Sequence, residues 1–321
     1  MTITINAPIN KTIRTPMKNA ARATQVAKAT CCGVIAALAM AASAARAHDA
    51  DHGSDQGVAA TARYIANEGV MIEDGDAKIL FDPLFHNSFG QYRVPSNEAR
   101  AAILAGAAPF DGVDAIFISH AHGDHFAADD MNRYLAGNPD ARLVAPRQAV
   151  AQMRAEDGWR EAFAARITAI ALDFGDPAQS YDLAGVSVDV VRIPHAGWPG
   201  RADVENMLYR VSTSERATVM HMGDADPDDS HYAPYDALWR AKRTDMAFPP
   251  YWFYSTADTH RIVTQRLNAD QVVGVHVPER TPPGLAAAKT RFGIDYFSIP
   301  GESRTIHAPT SGASSADAPH E

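Results

Sequence analysis

The segment Ala115-Ile116-Phe117-Ile118-Ser119-His120-Ala121-His122-Gly123-Asp124-His125 decides the fold class of this chain. Its first four residues are apolar throughout, which predicts a strand covered on both faces. A loop follows, and within six residues it carries four side chains that bind metals, namely His120, His122, Asp124 and His125. Gly123 removes side-chain bulk that would crowd two adjacent metal ions. A lone His-x-His pair is a weak signal, whereas this HxHxDH pattern predicts a metal site at a strand end.

Three more potential ligands occur later in the chain, each just after a short apolar run or close to its end. They are His195, Asp224 and His276. The ends of strands in an α/β sheet gather along one edge, so we expect these side chains to meet the loop at 120–125. Taken singly, His195 suits a turn, Asp224 suits a turn or a helix cap, and His276 suits a hydrogen-bonded core histidine. Together with the HxHxDH pattern they predict a site with seven N or O ligands.

Short apolar runs bounded by turn residues predict strands at 70–72, 78–81, 115–118, 143–144, 186–193, 207–211, 218–222, 246–248 and 272–277. Glu73-Asp74-Gly75-Asp76 predicts a hairpin turn between the first two. Helical patterns fall at 97–105, 129–135, 147–155, 235–242 and 259–267. This alternation predicts an α/β architecture with helices on the sheet faces. Residues 186–190 alternate in polarity and 115–118 do not, which favours a layered sandwich over a single open sheet.

The first 47 residues differ from the rest of the chain, because they contain six Lys or Arg residues and no Asp or Glu. An apolar run from Cys31 to Ala45 leads into Ala45-Arg46-Ala47, the small-residue spacing that a signal peptidase recognises. That run is shorter than the roughly 20 residues that a membrane anchor needs. We therefore interpret 1–47 as a secretory signal peptide cleaved after Ala47. The mature protein should be periplasmic or secreted, without stable membrane insertion.

Removal of the signal peptide changes both the charge and the available ligands. Cys31 and Cys32 lie inside it, so the mature protein has no disulfide and no thiolate ligand, and any metal must be held by His and carboxylate. The formal charge changes from −9 to −15, with 23 Lys and Arg left against 38 Asp and Glu. Such a field repels phosphate backbones, which excludes nucleic acid as an expected partner. A small-molecule substrate is the expected partner, and the oligomeric state stays open.

The mature chain divides into one domain and two tails. Residues 48–62 are rich in His and Asp without apolar periodicity, which predicts a flexible N-terminal tail. Residues 63–307 contain no low-complexity linker and no charge run, so we expect one large domain. Residues 308–321 are rich in Ser, Ala and Pro, which predicts a disordered C-terminal tail.

The order of these motifs resembles the metallo-β-lactamase superfamily of hydrolases over essentially the whole domain. The matching residues are Phe81-Asp82-Pro83, the HAHGDH segment at 120–125, His195, Gly223-Asp224 and His276. Shorter segments are similar to the branch that contains ascorbate-6-phosphate lactonase, namely Asn67-Glu68-Gly69-Val70, Ile193-Pro194-His195, Glu205-Asn206 and Pro250-Tyr251-Trp252-Phe253. The resemblance implies a four-layer αββα sandwich with a two-metal site at one edge.

The resemblance also implies how the ligands divide. One metal would take His120, His122 and His195, the other would take Asp124, His125 and His276, and Asp224 would bridge them. Asp82 would orient a ligand histidine, which fixes its tautomer and ring angle. A small hydroxyl residue often follows the bridging Asp in the family, but here the sequence is Asp224-Ala225-Asp226, so Asp226 is a competing acid. Zn²⁺ suits this ligand set best, and Mn²⁺ and Fe²⁺ accept a similar one.

Such a site predicts hydrolysis. Two metals a few Å apart can hold a bridging water, lower its pKa from 15.7 toward about 7, and direct the hydroxide at an acyl carbon or a phosphorus. We expect a small ester, lactone, amide or phosphodiester substrate, with Asp124 as the catalytic residue that orients the hydroxide. Tyr251 and Trp252 are candidates for a pocket wall, and core packing is the other interpretation for them. The proton donor to the leaving group stays open among His221, His231, Tyr232, His260 and Asp226.

Three other functions fit parts of the sequence. A β-lactamase proper fits the predicted compartment. A non-catalytic periplasmic metal-binding protein fits the His- and Asp-rich tail, although metal storage does not require an open site for a bridging water. A phospholipid hydrolase would be expected to have an amphipathic basic helix that binds the membrane surface, and the sequence has none.

Overall fold

The computed structural model of the protein describes residues 59–183, 185–213 and 217–307. The predicted signal peptide (1–47) and C-terminal tail (308–321) lie outside the described residues, as does the predicted N-terminal tail up to residue 58. The first strand begins at Thr61, so the sheet starts two residues before the predicted domain boundary at 63. Every helix within the described ranges is too short or too polar to span a bilayer.

The N-terminal half of the domain contains six strands, three α-helices and one 3₁₀ helix. In chain order they are β1 (Thr61–Ala66), β2 (Gly69–Asp74), β3 (Ala77–Phe81), α1 (Asn97–Ala105), β4 (Ala115–Phe117), α2 (Ala128–Gly137), β5 (Arg142–Pro146), α3 (Arg147–Ala155), a 3₁₀ helix (Glu161–Arg166) and β6 (Ile167–Ile170).

The C-terminal half contains the remaining elements that the described ranges hold. They are β7 (Gln179–Leu183), β8 (Val186–Arg192), β9 (Met207–Thr213), β10 (Ala217–His221), two 3₁₀ helices (Asp229–His231 and Ala233–Tyr235), α4 (Asp236–Ala241), β11 (Thr244–Phe248), a 3₁₀ helix (Tyr251–Tyr254), α5 (Ala257–Arg261), a π-helical turn (Ile262–Arg266), β12 (Ala269–Gly274), α6 (Pro283–Phe292), β13 (Asp295–Tyr296) and β14 (Ser303–Thr305).

The strands form two seven-stranded sheets of similar design. The first has the order β14-β1-β2-β3-β4-β5-β6 and the second has the order β13-β12-β11-β10-β9-β8-β7. In the first sheet β3 to β6 are parallel and the other pairs are antiparallel. In the second, β10 to β13 are parallel and β7 to β10 are antiparallel. Each sheet therefore has a parallel half whose strand ends can present a site.

Successive residues of each strand pack on opposite faces of the sheet and so join different layers of the domain. Ile79 and Phe81 of β3 join a core between the two sheets, whereas Leu80 packs with the helices α1 to α3. In the second sheet Val219 faces the same central core, and Met220 packs on the opposite face with Trp239 of α4. Because successive strand residues point to opposite faces, both faces of each sheet are covered. The predicted four-layer αββα sandwich is confirmed.

Local predictions near the sheets hold in detail. Helices α1 and α3 have the predicted bounds. Asp74 pairs with Ala77, so the predicted hairpin turn consists of Gly75 and Asp76. Gly75 has φ of +61°, a left-handed conformation that favours glycine. In β8 Ser187 is exposed between buried neighbours, and β4 is buried throughout, as the polarity patterns predict.

Candidate metal centre

The loop between β4 and α2 brings the HxHxDH side chains into the protein interior. His120 and His125 are fully buried and Asp124 is 3% exposed. The backbone N–H groups of His125 and Phe126 both donate to the carbonyl of His122, which closes the loop into a tight turn. A side chain at position 123 would meet Asn87 at 3.1 Å, so the room that Gly123 provides lies on the Asn87 side of the loop.

The three later candidate ligands follow strands of the second sheet. His195 lies after β8 and forms an isolated bridge with Ala225, next to Asp224, which follows β10. His276 was expected near the end of a strand, but β12 ends at Gly274 and His276 lies in the loop beyond it. His276 has φ of +57°, and its backbone N–H donates to the carbonyl of Asn67 in the β1–β2 turn. The first sheet thus helps to position a ligand of the second.

The seven side chains assemble into two adjacent groups. One consists of His120, His122, His195 and Asp224, and the other of Asp124, His125 and His276. Within each group the potential ligand atoms all lie within 4.8 Å of one another. We call them the first and the second ligand group.

The carboxylate of Asp224 is shared between the two groups. Its Oδ2 lies 3.1 Å from Nε2 of His195 and 4.0 Å from Nε2 of His120. Its Oδ1 lies 3.3 Å from Nε2 of His125 and 3.1 Å from Nε2 of His276. Each oxygen faces a different group, which is the arrangement that a carboxylate needs to bridge two cations.

Asp226, the competing acid in the sequence, is directed elsewhere. Its Oδ1 accepts a hydrogen bond from the backbone N–H of Asp228 and lies 3.5 Å from Nε2 of His231. The backbone N–H of Asp226 donates to the carbonyl of Pro194. Of the two acids, Asp224 is the one that lies among the histidines.

The donor set fits cations. Nε2 of His125, Nε2 of His276 and Oδ1 of Asp224 are buried and make no hydrogen bond to any described residue. Leaving such atoms without a partner is unfavourable, so buried polar atoms in proteins normally have one. These three atoms come from separate loops and lie close together. A cation between them would therefore give each of them a partner.

For His120, His122 and Asp224 the electrostatics favour the protonation states that bind metal. Burial lowers the pKa of His120 well below its usual range, and burial together with His195 lowers that of His122, so both rings are neutral at neutral pH. Burial opposes ionisation of Asp224, but His276 and His125 outweigh it and hold the pKa of this carboxyl well below its usual range. Neutral imidazole and ionised carboxylate are the forms that coordinate divalent cations. His125 is the exception, because burial lowers its pKa but the carboxylates of Asp224 and Asp82 outweigh burial and raise it well above its usual value, so a cation would have to displace a proton from this ring.

Asp82 supports the second ligand group from behind. Its Oδ2 accepts a hydrogen bond from Nδ1 of His125 at 2.9 Å, which directs Nε2 of that ring toward the ligand group. Its Oδ1 accepts from the backbone N–H of Ser119 at 2.7 Å, and the Ser119 hydroxyl donates to Oδ2. This carboxylate therefore fixes both the ring of His125 and the start of the loop, as such supporting carboxylates do.

Asp224 is supported by a close backbone contact. Its N–H donates to Oδ1 of Asn206 at 3.0 Å. Gly223 has φ of +53°, and a Cβ at this position would lie 2.4 Å from Oδ1 of Asn206 and 2.6 Å from Cβ of Ser119. Only glycine fits such a backbone without displacing its neighbours. Asn206 was visible in the sequence as part of a family match, but its role as a support for Asp224 was not predicted.

Glu68 is a site residue that the sequence interpretation missed. It is fully buried in the β1–β2 turn, and its Oε2 lies 3.6 Å from Nε2 of His221 and 3.8 Å from Nδ1 of His125. Burial raises the pKa of Glu68 well above its usual value, and the nearby Asp224 adds to the shift. A charged residue in a hairpin turn is ordinarily exposed, so the available signal was the similarity of Asn67-Glu68-Gly69 to one branch of the family.

A cavity of about 510 Å³ opens onto the ligands. It is lined by Phe89, Gln91, Tyr92, His122, Asp124, Arg201, Asp203, Val204, Asp224 and His276. The Tyr92 ring packs edge-on against His276 with centroids 4.1 Å apart. Burial and the nearby Asp224 raise the pKa of the Tyr92 hydroxyl, so it stays protonated and can donate a hydrogen bond. The five proton donors proposed from sequence lie outside this lining, namely His221, His231, Tyr232, His260 and Asp226.

Tyr251 and Trp252 are candidates for a pocket wall or for core packing, and neither lines this cavity. The 3₁₀ helix that carries them directs the Trp252 ring against His276, with centroids 5.3 Å apart, and its Nε1–H donates to the carbonyl of Ala225 at 3.0 Å. Tyr251 packs edge-on against Trp252. Trp252 therefore packs against the loops of His276 and Asp224 from outside this cavity, and it also lines a separate cavity beside Asp226.

Comparisons with known proteins agree with this architecture. A family model described as a β-lactamase superfamily domain matches residues 61–276. Protein Rv0786c of Mycobacterium tuberculosis is 31% identical over 164 residues, which cover 50% of this chain and 62% of that protein. The match therefore covers less than two thirds of the length of that relative.

Two solved structures share the fold at low sequence identity. A possible metal-dependent hydrolase from Veillonella parvula superposes with a TM-score of 0.55 at 12% identity, covering 78% of this chain and 100% of that one. Igni18, a metallo hydrolase from Ignicoccus hospitalis, gives 0.52 at 17% identity, covering 78% and 99%. At these identities the similarity concerns the fold.

Proposed function

Because the chain belongs to the β-lactamase superfamily, we propose that it is a metal-dependent hydrolase that holds two divalent cations, with Zn²⁺ as the best-suited metal. The observation that carries this proposal is the division of the Asp224 carboxylate, whose Oδ1 and Oδ2 face separate histidine groups. A single structural cation would need only one of the two groups.

The chemistry of the ligands supports zinc. The described ligands are imidazoles and carboxylates, and Zn²⁺ accepts this mixture in four-coordinate sites that keep a position open for water or substrate. Mn²⁺ and Fe²⁺ bind similar sets, so metal identity is part of the test. Bound cations would supply Lewis acidity, activating water and polarising the carbonyl or phosphoryl oxygen of the substrate.

The chain's own residues would position the reactants. Asp124 lines the cavity, and its Oδ2 lies 3.3 Å from Nε2 of His276. Although burial opposes ionisation, His276 and His125 lower the pKa of Asp124, so the carboxylate is ionised at neutral pH and can orient a water molecule. Nδ2 of Asn67 donates to the backbone carbonyl of Asp124 at 3.0 Å, which holds this part of the loop. Tyr92 can donate a hydrogen bond to a substrate or leaving-group oxygen.

The substrate we propose is a small ester, lactone, amide or phosphodiester. The cavity is open and of a size suited to a small molecule rather than a polymer. The similarity to the ascorbate-6-phosphate lactonase branch favours a lactone, because Asn67 and Glu68 of that match both lie beside the ligand groups. A nucleic-acid partner is not part of the proposal, since the mature chain would be strongly acidic.

Purified protein loaded separately with Zn²⁺, Mn²⁺ and Fe²⁺ tests the proposal. Metal content is measured by mass spectrometry, and turnover is measured on a panel of neutral and charged esters, lactones, amides and phosphodiesters, with nitrocefin as the β-lactam member. We expect turnover that requires metal. Asp124→Asn should lower both turnover and metal content, whereas Asp203→Asn, at an exposed acid of the same cavity, should leave metal content unchanged.

One result would contradict the proposal, and a second would change the ranking of substrates within it. Metal-loaded protein that turns over no member of the panel, together with an Asp124→Asn variant of unchanged metal content, would favour a non-catalytic metal-binding protein. Nitrocefin turnover at ordinary enzyme rates, about 10 per second, would instead identify a β-lactamase proper.

We also propose export to the periplasm or beyond, on the basis of the basic and apolar composition of residues 1–47. Intact-mass analysis of the protein from a bacterial periplasmic fraction tests this proposal. A mature chain that begins at His48 would support it, and an uncleaved cytoplasmic chain would contradict it.

A further inference from the structure

One positively charged side chain lines the cavity beside the ligand groups. Arg201 is the one Lys or Arg among the described residues that line it, and its side chain is exposed. It lies in the loop between β8 and β9, six residues after the ligand His195. A guanidinium in a cavity of this size is within reach of any small molecule that approaches the ligands.

The contacts of Arg201 leave its donors available. Its Nη1 is 3.5 Å from both Nδ1 and Nε2 of His195, so it is aligned with neither nitrogen. Both nitrogens have closer neighbours, because Nδ1 donates to the carbonyl of Ala196 at 2.8 Å and Nε2 lies 3.1 Å from Asp224. The guanidinium thus rests against the imidazole without a strong hydrogen bond.

Neighbouring arginines contrast with Arg201. Arg147 pairs with Asp173 and Glu205, and the buried Arg192 donates to the carbonyls of Leu172 and Ala202. No carboxylate of the described residues lies within 4.0 Å of the Arg201 nitrogens. Arg147 and Arg192 hold loops in place through these contacts, whereas Arg201 makes no ion pair with a described residue.

The charge balance of the cavity favours an anion. Three carboxylates line it, those of Asp124, Asp203 and Asp224. Two divalent cations would outweigh them, and Arg201 adds a further positive charge. A guanidinium also offers a planar pair of N–H donors that matches the oxygens of a carboxylate or a phosphate.

We propose that Arg201 binds an anionic group of the substrate, a carboxylate or a phosphate, and thereby positions the scissile bond at the metal ligands. This inference rests on the proposed hydrolase function and narrows its substrate class to molecules that carry such a group beside the bond that is cleaved. Arg201 is a binding residue in this proposal and takes no part in proton transfer.

A matched set of γ-butyrolactones tests the proposal. The members carry a hydroxymethyl, a carboxyl or a phosphoryloxymethyl substituent, and a parallel set of phenyl esters carries a neutral or a carboxylated acyl chain. For the metal-loaded wild type we expect kcat/KM to be about 10-fold to 100-fold higher for an anionic member than for the neutral one. Comparison of the carboxyl and phosphoryloxymethyl members identifies which anion is preferred.

The variants are Arg201→Met, Arg201→Lys and the control Arg142→Met. Arg142 is exposed at the start of β5, a strand whose parallel half-sheet presents the site at its other end. Arg201→Met should abolish the anion preference by raising KM, with the neutral substrate unaffected. Arg201→Lys should keep part of the preference, since it retains charge without the planar fork, and Arg142→Met should keep all of it.

Metal content is measured for every variant, because Arg201 contacts the ligand His195. If Arg201→Met lowers turnover of neutral and anionic members equally, or lowers metal content, Arg201 supports His195 and the proposal is overturned. If the wild type hydrolyses no member, the proposed function fails for these classes, and calorimetric titration of metal-loaded protein with inorganic phosphate and with succinate decides the anion site separately. Weaker binding to Arg201→Met than to Arg142→Met would then support the site, and equal binding would overturn it.

Discussion

The two halves of the domain contribute to the metal centre in different ways. The first half supplies four candidate ligands from a single loop at 120–125, whereas the second half supplies the candidates His195, Asp224 and His276 from three separate loops. The rings of the first loop have fixed partners, since Nδ1 of His125 donates to Asp82 and Nδ1 of His120 lies 3.1 Å from the Ser119 hydroxyl. In contrast, neither ring nitrogen of His276 hydrogen-bonds to a described residue.

This difference separates a preorganised part of the candidate centre from a part that we expect to depend on bound cations. The loop at 120–125 is held by its own sheet, through Asp82 at the end of β3 and the turn around His122. His276 is held by packing against Tyr92 and Trp252 and by one backbone hydrogen bond to Asn67. We therefore expect metal binding to order the segment around His276 more than the loop at 120–125.

Metal removal should have the largest effect. At a free metal concentration about 1,000 times Kd, binding stabilises the native state by about 4 kcal/mol. Chelation should remove that stabilisation, lower Tm by roughly 10 °C for a domain of this size, and abolish turnover. Hydrogen exchange should increase more in the segment around His276 than in the loop at 120–125, because the latter keeps its hydrogen bonds to Asp82. A melting curve unaffected by chelator, or equal loss of protection in both segments, would remove the distinction between the two halves.

Replacement of Asp224 should be the most severe single substitution. In Asp224→Ala the carboxylate that faces both groups is lost, so bound metal should fall below one ion per chain and turnover should fall by more than roughly 100-fold, beyond the effect of losing an orienting residue. His122→Ala removes a ligand from the first group only, so it should lower metal content and stability but leave the second ion bound. Metal analysis and thermal melting measure both.

Asp226→Ala is the matched control for this comparison. Asp226 is two residues away and partly buried, but its carboxylate faces Asp228 and His231. Metal content close to the wild-type value is therefore expected. The reverse result, with Asp226→Ala losing metal and Asp224→Ala keeping it, would reassign the bridging residue.

Loss of the charge on Asp82 should have an intermediate effect. Asp82→Asn keeps the shape of the side chain and tolerates its left-handed backbone, with φ of +39°. It weakens the acceptor that orients His125, so metal affinity should fall by about 10-fold to 100-fold. Asp74→Asn is the control, because Asp74 is equally buried and accepts a hydrogen bond from Thr213 away from the ligands. Competition with a metal indicator measures affinity, and equal losses in the two variants would show that His125 needs no orientation by Asp82.

The difference between one compact loop and three separate loops also explains which parts of the site the sequence could predict. The ligands at 120–125 are adjacent in the chain and follow an apolar strand, so local patterns suffice to find them. His195, Asp224 and His276 depend on where β8, β10 and β12 lie in the second sheet, which residue periodicity does not specify. Their positions at the ends of apolar runs predict that they meet the loop at 120–125, and the order of motifs in a known family implies how the ligands divide between two metals.

Supporting residues were harder to predict than ligands. Glu68 lies in a hairpin turn, which ordinarily faces solvent, and it is buried here because the turn packs against His125 and His221. Arg201 and Tyr92 lie in irregular loops without any periodic signal. The sequence analysis did not predict strands β1, β6, β7, β13 and β14. Of these, β13 and β14 are two and three residues long, too short for a pattern to stand out.

The smallest effect is expected for Trp252, which packs on the weakly held part of the centre. Trp252→Phe keeps an aromatic ring near His276 but removes the hydrogen bond to Ala225, so it should destabilise the domain by about 1 kcal/mol. Trp159→Phe removes a comparable bond, since the half-buried Trp159 donates to Glu161 at 2.8 Å. Metal affinity should fall several-fold only for Trp252→Phe, because Ala225 adjoins Asp224 and the ring contacts His276. Urea unfolding measures the change in stability, and metal competition measures the change in metal affinity. An unchanged affinity would mean that His276 is positioned without help from this ring.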